Sequence, residues 1–73
     1  MITETDIKKE VELLNEAAKR LERNYEYRKG QDGMWGLFDV HENSYKPVYA
    51  ANTPSGFFAY VSLLKNIYLG KKS

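Results

Sequence analysis

The chain reads as an α+β domain in which two helices frame a short antiparallel β-meander, in the order α-β-β-β-α. Three patterns carry that reading. An apolar seam at alternating steps of four and three runs through the first third, two aromatic-rich stretches of period two lie between turn-forming clusters, and a well-capped apolar stretch follows them.

The first helix is expected over residues 5–24. Thr3, Thr5 and Asp6 are all good N-caps, and Glu4 and Asp6 suit the positive end of the helix dipole. Ile7, Val11, Leu14, Ala18, Leu21 and Tyr25 form the seam, widened by Leu13 and Ala17. Lys8, Lys9, Glu12, Glu16, Lys19, Arg20 and Arg23 fill the rest of the circumference. A helix of that length spans about 30 Å, long for so small a domain.

From Tyr25 the period changes. Tyr25, Tyr27 and Lys29 alternate with Glu26 and Arg28, which suits a first strand, although continued helix as far as Gly30 satisfies the same residues. Gly30-Gln31-Asp32-Gly33 is a turn with two glycines free to take positive φ. The clearest strand covers 34–40, with Met34, Phe38 and Val40 on one face and Trp35 and Leu37 on the other. Both faces are apolar, which predicts a central strand covered on both sides. His41-Glu42-Asn43-Ser44 is a second turn, and a third strand is expected over 45–51, placed at a sheet edge by Pro47, which has no N–H to donate. Thr53 as cap and Pro54 as first helical residue open the second helix, expected to end near Leu69 with Gly70 as its stop. Lys65, Lys71 and Lys72 suit its negative end. The predicted core comprises Val11, Leu14, Ala18, Leu21, Trp35, Leu37, Phe38, Val48, Tyr60, Val61, Leu64 and Ile67.

A length of 73 residues allows one domain, residues 1–73, with 1–4 and 71–73 expected to fray. Domains of about 60 residues bury only about 60% of the surface their unfolded chains expose. With no cysteine, neither a disulfide nor a thiolate metal site is open to this chain, so dense packing and oligomerisation remain. An aromatic content of 14% favours both, because aromatic rings bury the most area per residue. Lys and Arg number 11 against 10 Asp and Glu, and a net charge of +1 gives no global attraction to nucleic acid or anionic lipid. No apolar stretch approaches the roughly 20 residues of a membrane span, and the acidic start lacks a signal pattern. A cytoplasmic protein without membrane contact is expected.

Chemistry-bearing residues are few. The one histidine, His41, stands in a turn two residues after Asp39 and beside Glu42. Three potential ligands within four residues rarely converge on one ion, so a solvated turn is the expected role and no metal or other cofactor is predicted. Ser55 opens a helix and forms no nucleophile motif. The 30–33 turn lacks the Gly-Lys-Ser/Thr ending of a phosphate loop, and Asp32 would repel phosphate. No catalytic residue is predicted and the chain is not expected to be an enzyme.

Two binding readings remain. Surplus apolar surface, on the central strand, on helix two and along the heptad seam, points to a protein-interaction module and most simply to a homodimer. Helices wrapped around both sides of the sheet would absorb that surplus. Alternatively, aromatics flanked by basic residues on the sheet could stack the bases of a single-stranded nucleic acid. Acidic Glu22, Glu26, Asp32 and Glu42 are interleaved with them and oppose that use. The candidate interaction surface comprises Tyr25, Tyr27, Arg28, Lys29, Trp35, Tyr45, Tyr49 and Phe58.

The stretch Asp32-Gly33-Met34-Trp35-Gly36-Leu37-Phe38-Asp39-Val40, followed by Lys46-Pro47-Val48-Tyr49-Ala50-Ala51-Asn52-Thr53-Pro54, resembles the centre of many small proteins of phages and prophages in Gram-positive bacteria. These pair a glycine–aromatic–glycine strand with a proline–valine–tyrosine strand and a capped helix. The resemblance covers about the C-terminal two thirds of the chain. It implies a small, non-enzymatic accessory protein that binds a host or phage protein, and it assigns no functional residue.

Overall fold

In a computed structural model of the chain, which describes residues 1–42 and 45–70, the elements follow the expected order. They are helix α1 (Glu4–Ala18), a 3₁₀ turn (Lys19–Leu21), strands β1 (Tyr25–Lys29), β2 (Trp35–Asp39) and β3 (Tyr49–Ala51), and helix α2 (Pro54–Gly70). The strands form one antiparallel sheet with β2 in the centre.

Thr3 starts α1 through a reciprocal capping box: its hydroxyl accepts from the Asp6 N–H at 3.2 Å, and its own N–H donates to the Asp6 carboxylate at 3.0 Å. These bonds hold the Asp6 carboxyl below its ordinary value. Ile7, Val11, Leu14 and Ala18 form the buried stripe. The helix stops at Ala18, six residues short of the expected end. Glu22 takes the left-handed conformation at φ 58°, its N–H bonds the Lys19 carbonyl, and the Arg23 N–H reaches back to the Ala18 carbonyl. This pair of bonds is a Schellman closure built without glycine. Leu21 therefore leaves the seam and is exposed, correcting its place in the predicted core.

β1 is a strand, which closes the question left open for residues 25–29. Tyr25 and Tyr27 turn toward the helices, whereas Glu26 and Arg28 lie on the opposite face. In β2, Trp35, Leu37 and Asp39 are buried beneath the helices. Gly36 is buried on the other face because the Phe38 ring folds over it and Pro47 abuts it; an added Cβ there would meet the ring at 2.9 Å. The Arg28 guanidinium lies 4.1 Å above the centre of that ring. The second face of β2 is thus covered by a phenylalanine, an arginine and a proline rather than by a helix. In the 30–33 turn only Gly33 uses positive φ, at 84°.

β3 is shorter than the expected 45–51. Its ladder opens with the Val48 N–H on the Leu37 carbonyl at 2.8 Å, directly after Pro47. Val48 itself is half exposed at the rim of a cleft, a second correction to the predicted core. Thr53 caps α2 through the Gly56 N–H at 3.1 Å, with Pro54 first in the helix as expected. The helix is described as far as Gly70; Lys71 and Lys72, like Asn43 and Ser44 of the second turn, lie outside the described residues.

Both helices pack on one face of the sheet and run in the same direction. Glu10 pairs with Lys65 at 2.8 Å, and further along Ala17 shares a groove with Leu69. Lys65 therefore tethers the two helices. Phe57, Val61 and Tyr68 complete the core, with Tyr60 and Leu64 half-buried beside them. Phe38, which lies on the far face outside the core, is a third correction, and Ile67 is a fourth: at 3.6 residues per turn it lies about 90° from the buried stripe of α2, and it is half exposed.

Two stability outcomes follow. Leu37→Ala is expected to cost about 2–5 kcal/mol and Leu69→Ala, at an exposed position outside the α2 flank, no more than about 0.5 kcal/mol, read from urea unfolding midpoints. Glu22→Gly is expected to stabilise by up to about 1 kcal/mol, because roughly 1–2 kcal/mol of left-handed strain is relieved against about 0.5–1 kcal/mol of added backbone freedom.

Candidate interaction surface

The reversal after α1 brings Arg23 against the end of β2. One guanidinium nitrogen, Nη1, donates to Asp39 Oδ2 at 2.8 Å and to Glu42 Oε2 at 2.6 Å. The second oxygen of Asp39 accepts the backbone N–H groups of His41 and Glu42 at 3.1 and 3.3 Å. Asp39 is almost fully buried, and the three of these bonds that reach its carboxylate account for it. Glu42 first and Asp39 second hold the Arg23 proton more tightly than usual. His41 and Glu42 are exposed in this turn, where Asp39 and Glu42 carry their carboxylates to Arg23 and His41 contributes only its backbone N–H, to Asp39. Among the described residues, no three His, Asp or Glu side chains converge to hold a metal.

Beside this corner lies an open cleft of about 540 Å³, walled by Leu21, Val48, Tyr60 and Leu64. The hydroxyls of Tyr25 and Tyr68 meet within it at 2.7 Å. Burial, then the bond to Tyr68, pushes the Tyr25 phenol well above its ordinary value of 10.0. At neutral pH the Tyr25 phenol is therefore a hydrogen-bonding group and not a phenolate. It ties β1 to α2.

The eight residues read from the sequence as an interaction surface do not share one. Tyr25 and Trp35 belong to the core. Tyr27 is half-buried, its ring 6.1 Å from that of Trp35 and its hydroxyl on Glu4 at 3.3 Å. Arg28 lies over Phe38 on the open face, whereas the Lys29 ammonium sits 5.1 Å from the Trp35 ring on the helix side. Tyr49 stacks flat on Tyr60, 4.0 Å between centroids, and Phe58 packs half-buried against the core. Tyr45 is 93% exposed. The alternation that groups Tyr25 with Tyr27 is the same one that turns both beneath the helices.

The exposed apolar side chains lie elsewhere. Leu63 and Ile67, 58% and 48% exposed, are helical neighbours of Tyr60 and Leu64 and extend the cleft wall over the outer flank of α2. Val48 and Leu21 border the same cleft. The sequence signal for this flank was the excess apolar circumference of α2, to which Leu63 contributes. Leu13 on α1 is also exposed, as is Leu69, which borders the groove beside Ala17. No helix among the described residues is long and apolar enough to cross a membrane. Comparisons with protein-family models, curated proteins and solved structures find no match to the chain.

The phenol of Tyr25 has a consequence in alkali. Its native proton is held above the unfolded value of about 10, so the associated stability is complete below that pH and is lost as pH rises toward the native value. Tyr27, raised by burial and by Glu4, acts in the same sense. The urea midpoint is expected to fall between about pH 9 and about pH 11, and to fall less in Tyr25→Phe.

Proposed function

We propose that this domain is a non-enzymatic protein-interaction module that self-associates as a homodimer through the outer flank of α2. The observation that carries the reading is the continuity of exposed apolar surface from Leu21 and Val48, across the cleft wall of Tyr60 and Leu64, to Leu63 and Ile67. Singly exposed leucines are ordinary on a monomer, whereas contiguous patches mark contact surfaces. Arg23 and Glu42 at the cleft mouth supply the polar rim such a surface needs. A two-fold contact pairs the patch with itself and requires no second surface. An intracellular accessory role of the phage or prophage type, with a host or phage protein as the ultimate partner, fits the likeness of residues 32–54 to such proteins.

The single-stranded nucleic-acid reading has less support. Stacking requires ring faces open to solvent beside uncompensated cations. Here the rings of Tyr25, Tyr27, Trp35 and Tyr49 are turned to the helix side, and Phe38 lies under Arg28.

Sedimentation velocity across the micromolar range tests the proposal. The wild-type chain is expected to sediment as a dimer and Ile67→Glu as a monomer with an unchanged far-ultraviolet circular dichroism spectrum. A wild-type monomer at every concentration overturns the homodimer. Titration of a fluorescent single-stranded oligonucleotide at low and moderate salt is expected to give no salt-dependent binding, and salt-dependent binding at micromolar protein would restore the nucleic-acid reading.

A further inference from the structure

The turn that ends α1 is made of residues that favour helix. Lys19, Arg20, Leu21 and Glu22 are of the strongest helix-forming types, and Leu21 stands next in the seam after Ala18. The structure nevertheless breaks the helix there: Lys19–Leu21 is a 3₁₀ turn, and Glu22 takes φ 58° without being glycine. Leu21 is left 42% exposed. Two backbone bonds close the reversal, from the Glu22 N–H to the Lys19 carbonyl at 3.0 Å and from the Arg23 N–H to the Ala18 carbonyl at 3.3 Å. In a continued helix the same two N–H groups trade carbonyls, Glu22 bonding Ala18 and Arg23 bonding Lys19. The number of bonds is unchanged and the left-handed residue disappears.

This connection is bounded on both sides by firm attachments. After it, Arg23 holds Asp39 and Glu42, and the Asn24 carbonyl accepts the Val40 N–H at 3.0 Å. Before it, α1 is fixed to the rest of the domain by Asn15 on the Tyr25 backbone, by Glu10 on Lys65, and by Ile7, Val11 and Leu14 in the core. None of these contacts requires α1 and the sheet to belong to one chain. An identical α1 from a second copy satisfies every one of them. At the reversal itself lies an open hollow of about 820 Å³, walled by Leu21, Glu22, Arg23, His41 and Glu42.

We propose that Lys19–Glu22 is an exchange hinge, through which two copies of this chain trade α1 and form a domain-swapped dimer. The hinge straightens into one further turn of helix, about 6 Å long, and delivers α1 to α2 and β1 of the other copy. Two such connections pass each other at the two-fold axis, and the hollow at the reversal gives them room. Short connections under strain favour this exchange, because the closed form alone carries the strain. Proximity opposes it: a tethered α1 meets its own groove at high effective concentration, so the closed chain prevails in dilute solution. The exchange is separate from the α2-flank contact, which leaves α1 in place.

The test uses the full chain carrying Ile67→Glu, which removes the α2-flank contact. Refolded from urea at millimolar concentration, it is expected to yield a dimer on size exclusion that persists on dilution, whereas micromolar refolding gives monomer. Amide shifts between the two forms are expected to be confined to residues 18–23, since every other contact is reproduced. Glu22→Gly relieves the closed form and weakens the straight one, and is expected to lower the dimer yield at least about tenfold. Charge reversal supplies a second measurement. Glu10→Lys and Lys65→Glu each set like charges together within one chain, but α1 of either variant matches the sheet and α2 of the other. Refolded together, the two are expected to form a one-to-one heterodimer with the urea midpoint of the Ile67→Glu dimer. That readout holds even where neither charge variant folds alone. Monomer at every refolding concentration overturns the proposal, as does a dimer whose shifts fall on the α2 flank or the open sheet face. A mixture of the charge variants that behaves as its two separate components overturns it as well.

Discussion

The fold depends on a backbone reversal across six residues. The carbonyls of Ala18 and Lys19 are closed by the N–H groups of Arg23 and Glu22, and Glu22 takes the left-handed turn that the closure requires. Because the chain reverses there, β1 runs back beneath α1, Tyr25 lands against Tyr68, and Arg23 emerges beside Asp39. If α1 continued another turn and a half, β1 would lose its first residues and Asp39 its cation. The reversal converts a helix with a long seam into a helix–strand hairpin, and the meander is laid out from that hairpin.

The element order, the capped second helix and the glycine turn were legible because each rests on local chemistry: Thr53 with Pro54, Gly33 at positive φ, and alternating apolar residues in β2. The end of α1 was not, because no glycine or proline marks it and a glutamate occupies the left-handed position. Leu21 was misplaced for the same reason. Val48 was misplaced because it borders an open cleft at the start of β3, and that opening is set by the tertiary arrangement rather than by strand period. Ile67 illustrates the limit of stripe counting. When a helix is apolar over most of its circumference, the packing partner decides which residues are inside.

The predicted surface residues failed to meet for a related reason. Aromatic residues on a strand can line the core or a binding face, and composition does not distinguish the two. The tertiary arrangement does: two parallel helices, tied by Glu10 and Lys65, occupy one face of the sheet and claim Tyr25, Trp35 and the inner edges of Tyr27 and Tyr49. On the other face Phe38 folds over Gly36, and a single ring with its arginine takes the place of a covering layer. This economy leaves Leu63 and Ile67 exposed on the outer flank of α2, where the strand period does not point.

The bidentate contact of Asn15 with Tyr25 has a mechanical meaning beyond its two hydrogen bonds. It makes α1 a member of the sheet's bonding network, so that the helix cannot roll or lift from β1 without exposing a strand's end. Lifting α1 from β1 would leave the Tyr25 N–H and C=O without partners, so helix docking and strand registration are coupled at this end of the sheet.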